Sequence, residues 1–201
     1  MADIAKLRQN LERRGFQTSF FQTAEEANVY LDHAMDGITI GFGGSLTVRD
    51  MGIYDRLSNH NTCSWHWDPN RDRESACQDA AQADVYICSL NGVSENGELI
   101  NIDGSGNRVA SCLYGHKKVY FIIGINKIAP DYDSALWRAR NIAAPLNARR
   151  LNKKTPCAQG ELRCHDCSSP ERICAALIVY WEKPAMVREI EVVIVNQELG
   201  F

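Results

Sequence analysis

The chain has 201 residues, 45% of them apolar and 23% charged, with a formal charge of −3, which is enough for a substantial core in one α/β domain spanning 1–201. The charge balance excludes an electrostatic footprint for nucleic acid, because the basic pairs Arg149-Arg150 and Lys153-Lys154 are too short a run to hold a polyanion. A polar start without a secretory signal, and apolar runs at 119–125 and 175–181 too short for a bilayer, lead us to expect a soluble cytoplasmic protein without a membrane partner.

Residues 4–14 place Ile4, Leu7 and Leu11 on one stripe, the pattern of an amphipathic helix, and 16–21 reads as a strand. Thr23 and Glu26 form a capping-box pair that opens a helix to about Met35, and 38–42 is a short apolar strand. The alternation continues with a helix at 71–83, a strand at 85–89, a hairpin around Asn96-Gly97, a short helix at 109–114 and a buried strand at 118–124. A helix at 131–143 is expected to close at Pro145, and 190–195 is a dense β-branched strand. Strands separated by helices of this length imply crossover connections, hence a largely parallel sheet flanked by helices. Residues 147–174 break the pattern as a cysteine-rich excursion.

At 38–48 a strand runs into Gly43-Gly44-Ser45, with Thr47 close behind. Glycines at a strand's carboxyl end let the backbone approach a ligand, and Ser45 and Thr47 add hydroxyl donors for a small anion. The dinucleotide fingerprint fails because Leu46 stands where its third glycine belongs, and no Gly-Lys-Ser/Thr of a P-loop follows. A tight strand-to-helix connection explains the glycines equally well.

Ser94-Glu95-Asn96-Gly97 follows the buried strand at 85–89. A desolvated Glu95 there is placed to act as nucleophile or general base; the plain alternative is a hairpin shoulder. Arg108, after the turn at 103–107, is suited to bidentate binding of a carboxylate or phosphate, or is simply a surface arginine at a helix start. Asn126 and Lys127 follow the strand at 118–124, where Lys127 either neutralises an anionic ligand or caps the strand in solvent.

The ordered series Gly43-Gly44-Ser45-Leu46-Thr47, Ser94-Glu95-Asn96-Gly97, Asp103-Gly104, Asn107-Arg108 and Gly124-Ile-Asn-Lys-Ile resembles the LUD domain family, of the lactate-utilisation protein C type. The resemblance implies a NagB/RpiA/CoA-transferase-like fold whose first Gly-rich loop holds a phosphate or carboxylate. With the residue readings above, the expected ligand-binding residues are Gly43, Gly44, Ser45, Thr47, Asn96, Gly97, Arg108, Asn126 and Lys127. It implies an accessory or substrate-handling role in oxidation of lactate or a related organic acid to pyruvate, beside separate iron–sulfur oxidoreductase subunits. Ser-Glu-Asn-Gly also resembles the segment bearing the nucleophilic glutamate of class I CoA-transferases, which makes a Glu95 enzyme of the CoA-transferase or sugar-phosphate class the alternative. A metal-stabilised interaction module without catalysis is a third reading.

Of eight cysteines, Cys63, Cys77, Cys88 and Cys112 sit in apolar or helical settings and are expected to be buried as small hydrophobes. The other four, Cys157, Cys164, Cys167 and Cys174, are spaced to gather four thiolates around one ion, either zinc or an iron–sulfur cluster. A reducing compartment argues against disulfides, and a redox dithiol at Cys164 and Cys167 remains the other use of a Cys-x-x-Cys pair.

Overall fold

The computed structural model describes residues 2–201. The chain runs α1 (Ile4–Arg13), β1 (Gln17–Phe21), α2 (Ala24–Ala34), β2 (Thr39–Phe42), α3 (Leu46–Met51), α4 (Ile53–Leu57), β3 (Thr62–Trp65), α5 (Arg73–Gln82) and β4 (Val85–Cys88). It continues through β5 (Gly92–Ser94), β6 (Leu99–Asp103), α6 (Asn107–Leu113) and β7 (Lys118–Gly124) to a 3-10 turn at Ile125–Lys127. After β8 (Ile128–Ala129) come α7 (Tyr132–Arg138), a π-helical turn (Ala139–Ala143), α8 (Ala144–Arg150), α9 (Pro156–Gln159), β9 (Ala176–Tyr180) and β10 (Glu189–Val195).

Six strands form a parallel sheet in the order β1-β10-β7-β4-β2-β3. A second sheet, β8-β5-β6-β9, is mixed: β5 and β6 form the expected hairpin, β9 pairs antiparallel with β6, and β8 runs parallel to β5. The strict alternation of β7 divides the core. Val119, Phe121 and Ile123 face α1 and the second sheet, while Tyr120 and Ile122 face the layer of α2, α3 and α4. Val93, Leu99 and Tyr180 join the first cluster, so the second sheet packs onto the first through it.

Local chemistry accounts for the helix starts. Thr23 and Glu26 make the capping box reciprocally, and Asp3, Asp72 and Asp131 each accept the backbone N–H three residues on. Pro145 does not close the helix as expected. The helical path runs on to Arg150 because the π-helical turn widens the backbone just before the proline ring, and the Asn141 side chain donates to the Trp137 carbonyl at 3.0 Å. Cys88 and Cys112 are fully buried, whereas Cys63 of β3 and Cys77 in the middle of α5 are only half-buried. Among the described residues no helix is long and apolar enough to cross a membrane.

Candidate functional site

Because the first sheet is parallel throughout, Phe21, Phe42, Trp65, Cys88, Gly124 and Val195 all end on one edge. The connection after β2 leads outward to β3, whereas that after β4 leads the other way, toward β7. The loops diverge there and leave a crevice, the usual ligand position of an open parallel sheet. A cleft of about 400 Å³ occupies it. Its walls are Gly44 to Thr47 after β2, His66 and Trp67 after β3, Ser89 to Asn91 after β4, and Lys127 after β7.

Close approach shapes the β2 loop. A Cβ on Gly44 would lie 3.1 Å from His66 Nε2 and 3.3 Å from Trp67. One on Gly43 would lie 2.9 Å from both Arg108 Cγ and Cys88 Cβ. The Gly43 N–H already donates to the Ile87 carbonyl at 2.9 Å, so Gly43 buttresses the cleft from behind. Ser45 is the N-cap of α3 and accepts the Val48 N–H at 3.3 Å.

Lys127 lies at the floor, 4% exposed, with Nζ at 2.8 Å from Thr47 Oγ1, 2.8 Å from Ser89 Oγ and 3.1 Å from the Leu90 carbonyl. Burial first, then the nearby Arg138 and Arg108 guanidinium groups, push its ammonium down to about 7. Arg108 is engaged within the protein: it donates to the Ser89 and Ile102 carbonyls and to the Asn101 and Asn91 side chains, and stands 3.6 Å from Asp103. It therefore braces the β4 loop against β6 while it lines the cleft. Arg138 ties the β7 and β4 loops together through the Asn126 and Asn91 carbonyls at 2.7 and 2.6 Å. Asn126 stands outside the cleft lining and holds the C-terminal segment, accepting the Leu199 N–H and donating to the Gly200 carbonyl.

The rim is basic. Arg73, Arg150, Lys153 and Arg172 join Arg108 and Lys127 around the cleft, against a single acidic side chain, Asp103. That carboxylate is occupied by the backbone N–H groups of Ser105, Gly106 and Val109. Arg150 stacks over the Trp67 ring at 5.2 Å. Burial, with a contribution from Arg73, lowers the His66 pKa, so its imidazole is neutral at neutral pH.

A family model for the LUD domain matches residues 4–195. The chain belongs to the LUD domain family. Membership relates it to lactate utilisation. The fold is shared with a crystal structure of a DUF162 family protein from Deinococcus radiodurans, at TM-score 0.53 over 98% of this chain and 100% of that one, with 10% identity. No curated protein matches the chain.

Within this LUD chain the cleft gathers Gly44, Ser45, Thr47, Arg108 and Lys127 of the expected set, and leaves the Ser-Glu-Asn-Gly residues out. The β5–β6 hairpin has its Asn91 and Ile102–Gly104 end at the cleft and its turn at the other end. Glu95 therefore sits against α1, where its carboxylate accepts the Asp3 N–H at 2.9 Å and pairs with Lys6 at 3.3 Å. Asn96 and Gly97 lie against Arg14, whose Nε donates to the Asn96 carbonyl. The expected ligand roles of Asn96 and Gly97 and the nucleophile role of Glu95 are corrected accordingly: hairpin length carries all three away from the sheet edge.

The four later cysteines are half-buried along residues 157–174, and among the described residues no three His, Cys, Asp or Glu side chains are grouped to hold a metal ion. Cys157 Sγ lies 3.3 Å from Thr155 Oγ1, while Cys164 Sγ accepts from Arg140 and from the Asp166 N–H. Cys164 and Cys174 border a second, smaller cleft with Leu136, Ala144 and Leu177, which Cys157 and Cys167 do not line. This arrangement does not fit a four-thiolate site. Sequence reasoning missed Ser89, His66, Arg73 and Arg172 as lining residues; Arg150 and Lys153 were visible only as a short basic run.

Proposed function

We propose that the protein binds a small organic anion, lactate or a related acid, in the cleft at the carboxyl edge of its parallel sheet, as a substrate-handling component of organic-acid oxidation to pyruvate. The supporting observation is the lining: six basic side chains stand against one acidic side chain, whose oxygens the backbone already occupies. Family membership supplies the organic acid, and a cleft at the sheet's crossover reversal favours the NagB/RpiA/CoA-transferase-like reading of the fold. Iron–sulfur oxidoreductase subunits are the partners this role calls for. Thermal-shift titration with lactate, pyruvate and phosphate, against lactamide as the uncharged control, tests the reading. The anions should raise the melting temperature and lactamide should not, and Arg150→Ala should weaken the effect. Equal shifts with lactamide, or none with any anion, would refute it.

A metal at Cys157, Cys164, Cys167 and Cys174 is a second proposal, favoured by the spacing of the thiols in sequence. It requires residues 152–175 to rearrange from the conformation described. Elemental analysis and a visible spectrum of anaerobically purified protein test it: stoichiometric zinc, or iron with sulfide, supports the site, and neither removes it.

A further inference from the structure

Lys127 and Ser89 meet at the cleft floor in a way that anion binding alone does not require. Ser89 directly follows β4, a central strand, and lines the cleft beside Lys127. Three atoms surround Lys127 Nζ. The Leu90 carbonyl can only accept. Thr47 Oγ1 donates its own hydrogen to the Leu199 carbonyl at 3.1 Å, so toward Nζ it too can only accept. A neutral amine has two N–H donors for those two acceptors and one lone pair left over. The remaining neighbour, at 2.8 Å, is Ser89 Oγ, whose hydroxyl can donate to that lone pair.

We propose that Ser89 and Lys127 form a nucleophile–base pair that performs acyl transfer from an ester carrying its own negative charge. The proposal rests on the reading of the cleft as an anion site, whose rim of Arg73, Arg150, Lys153 and Arg172 would hold that charge. In the first step the Ser89 hydroxyl proton passes to Lys127 Nζ as Oγ bonds the acyl carbon. The carbon–oxygen bond to the leaving alcohol then breaks, and that oxygen takes the proton from the Lys127 ammonium. Water, deprotonated by the same amine, attacks the acyl-serine, releases the acid and returns the proton to Ser89 Oγ. Lys127 is available as a base because burial, with Arg138 of α7 and Arg108 of α6 beside it and Cys88 of β4 acting in the opposite sense, leaves a large neutral fraction at neutral pH.

The mono-4-nitrophenyl ester of succinate is the probe, with uncharged 4-nitrophenyl butyrate for comparison. Nitrophenolate release is followed with the full chain, and the acyl adduct is located by peptide mass spectrometry after acid quench. The adduct is expected on Ser89, absent in Ser89→Ala, and formed about 100-fold more slowly in Lys127→Met. The wild-type acylation rate, corrected for the uncatalysed reaction, should climb about tenfold per pH unit below pH 7 and level above it, a readout that needs no variant to fold. An adduct elsewhere, no adduct, or a rate indifferent to pH between 5.5 and 8 overturns the pair. Equal acylation of Ser89 by both esters keeps the pair and removes the anionic selectivity of the cleft; stabilisation by succinate without an adduct keeps the cleft and removes the pair.

Discussion

At the scale of single residues, Lys127 makes stability depend on pH in a direction that can be fixed in advance. Its folded pKa of about 7 lies below the ordinary lysine value of 10.5, so between those limits the unfolded chain holds the extra proton. Stability contributed at this position therefore rises with pH across that window, by up to about 1.4 kcal/mol per pH unit. Urea denaturation at pH 7 and pH 9 should show wild type gaining on Lys127→Met at the higher pH; a constant difference would mean that the buried amine keeps its proton. The glycines, Thr47 and Lys127 were legible in sequence because they directly follow apolar strands. Ser89 was not, since one serine after a strand has no spacing to mark it. Arg73, Arg150 and Arg172 come from segments far apart in the chain, and only the crossovers bring them together.

At the scale of elements, two glycines set how closely helices lie on strands. A Cβ on Gly41 of β2 would stand 2.3 Å from the Ala80 carbonyl oxygen of α5, and one on Gly92 of β5 would stand 2.5 Å from that of Ala135 in α7. Backbone cannot move aside as a side chain can. Gly41→Ala should cost about 2 kcal/mol by chemical denaturation, and a near-neutral result would show that α5 shifts freely. Most of the elements were readable from hydrophobic period and caps, because burial on one face dictates both. The exceptions are instructive. β3 contains Thr62, Cys63 and Ser64, too polar and short to announce an edge strand, and β8 is two residues held by its neighbour. The helix through Pro145 depends on a widened turn that no local propensity encodes.

At the scale of the whole molecule, charge is segregated: the chain is net negative, yet its cleft is strongly basic. Attraction of an anion through a solvent-filled mouth is screened by salt, so lactate or phosphate affinity should fall about tenfold between 0.1 and 1 M potassium chloride. Titration calorimetry at the two concentrations measures this, and an unchanged affinity would locate binding away from the basic rim. The same segregation leaves net charge uninformative about the site, because the surface acids outnumber the rim.

The strand order has a bearing on how the chain is made. β10 lies between β1 and β7, pairing with β7 along its whole length and with β1 from Glu191 to Val195. Until residues 189–195 leave the ribosome, β1 has no neighbour in the sheet and β7 has an open side. From the emergence of β7 until β10 follows, the nascent protein therefore carries two hydrogen-bonding borders that β10 alone will cover, a hazard for self-association.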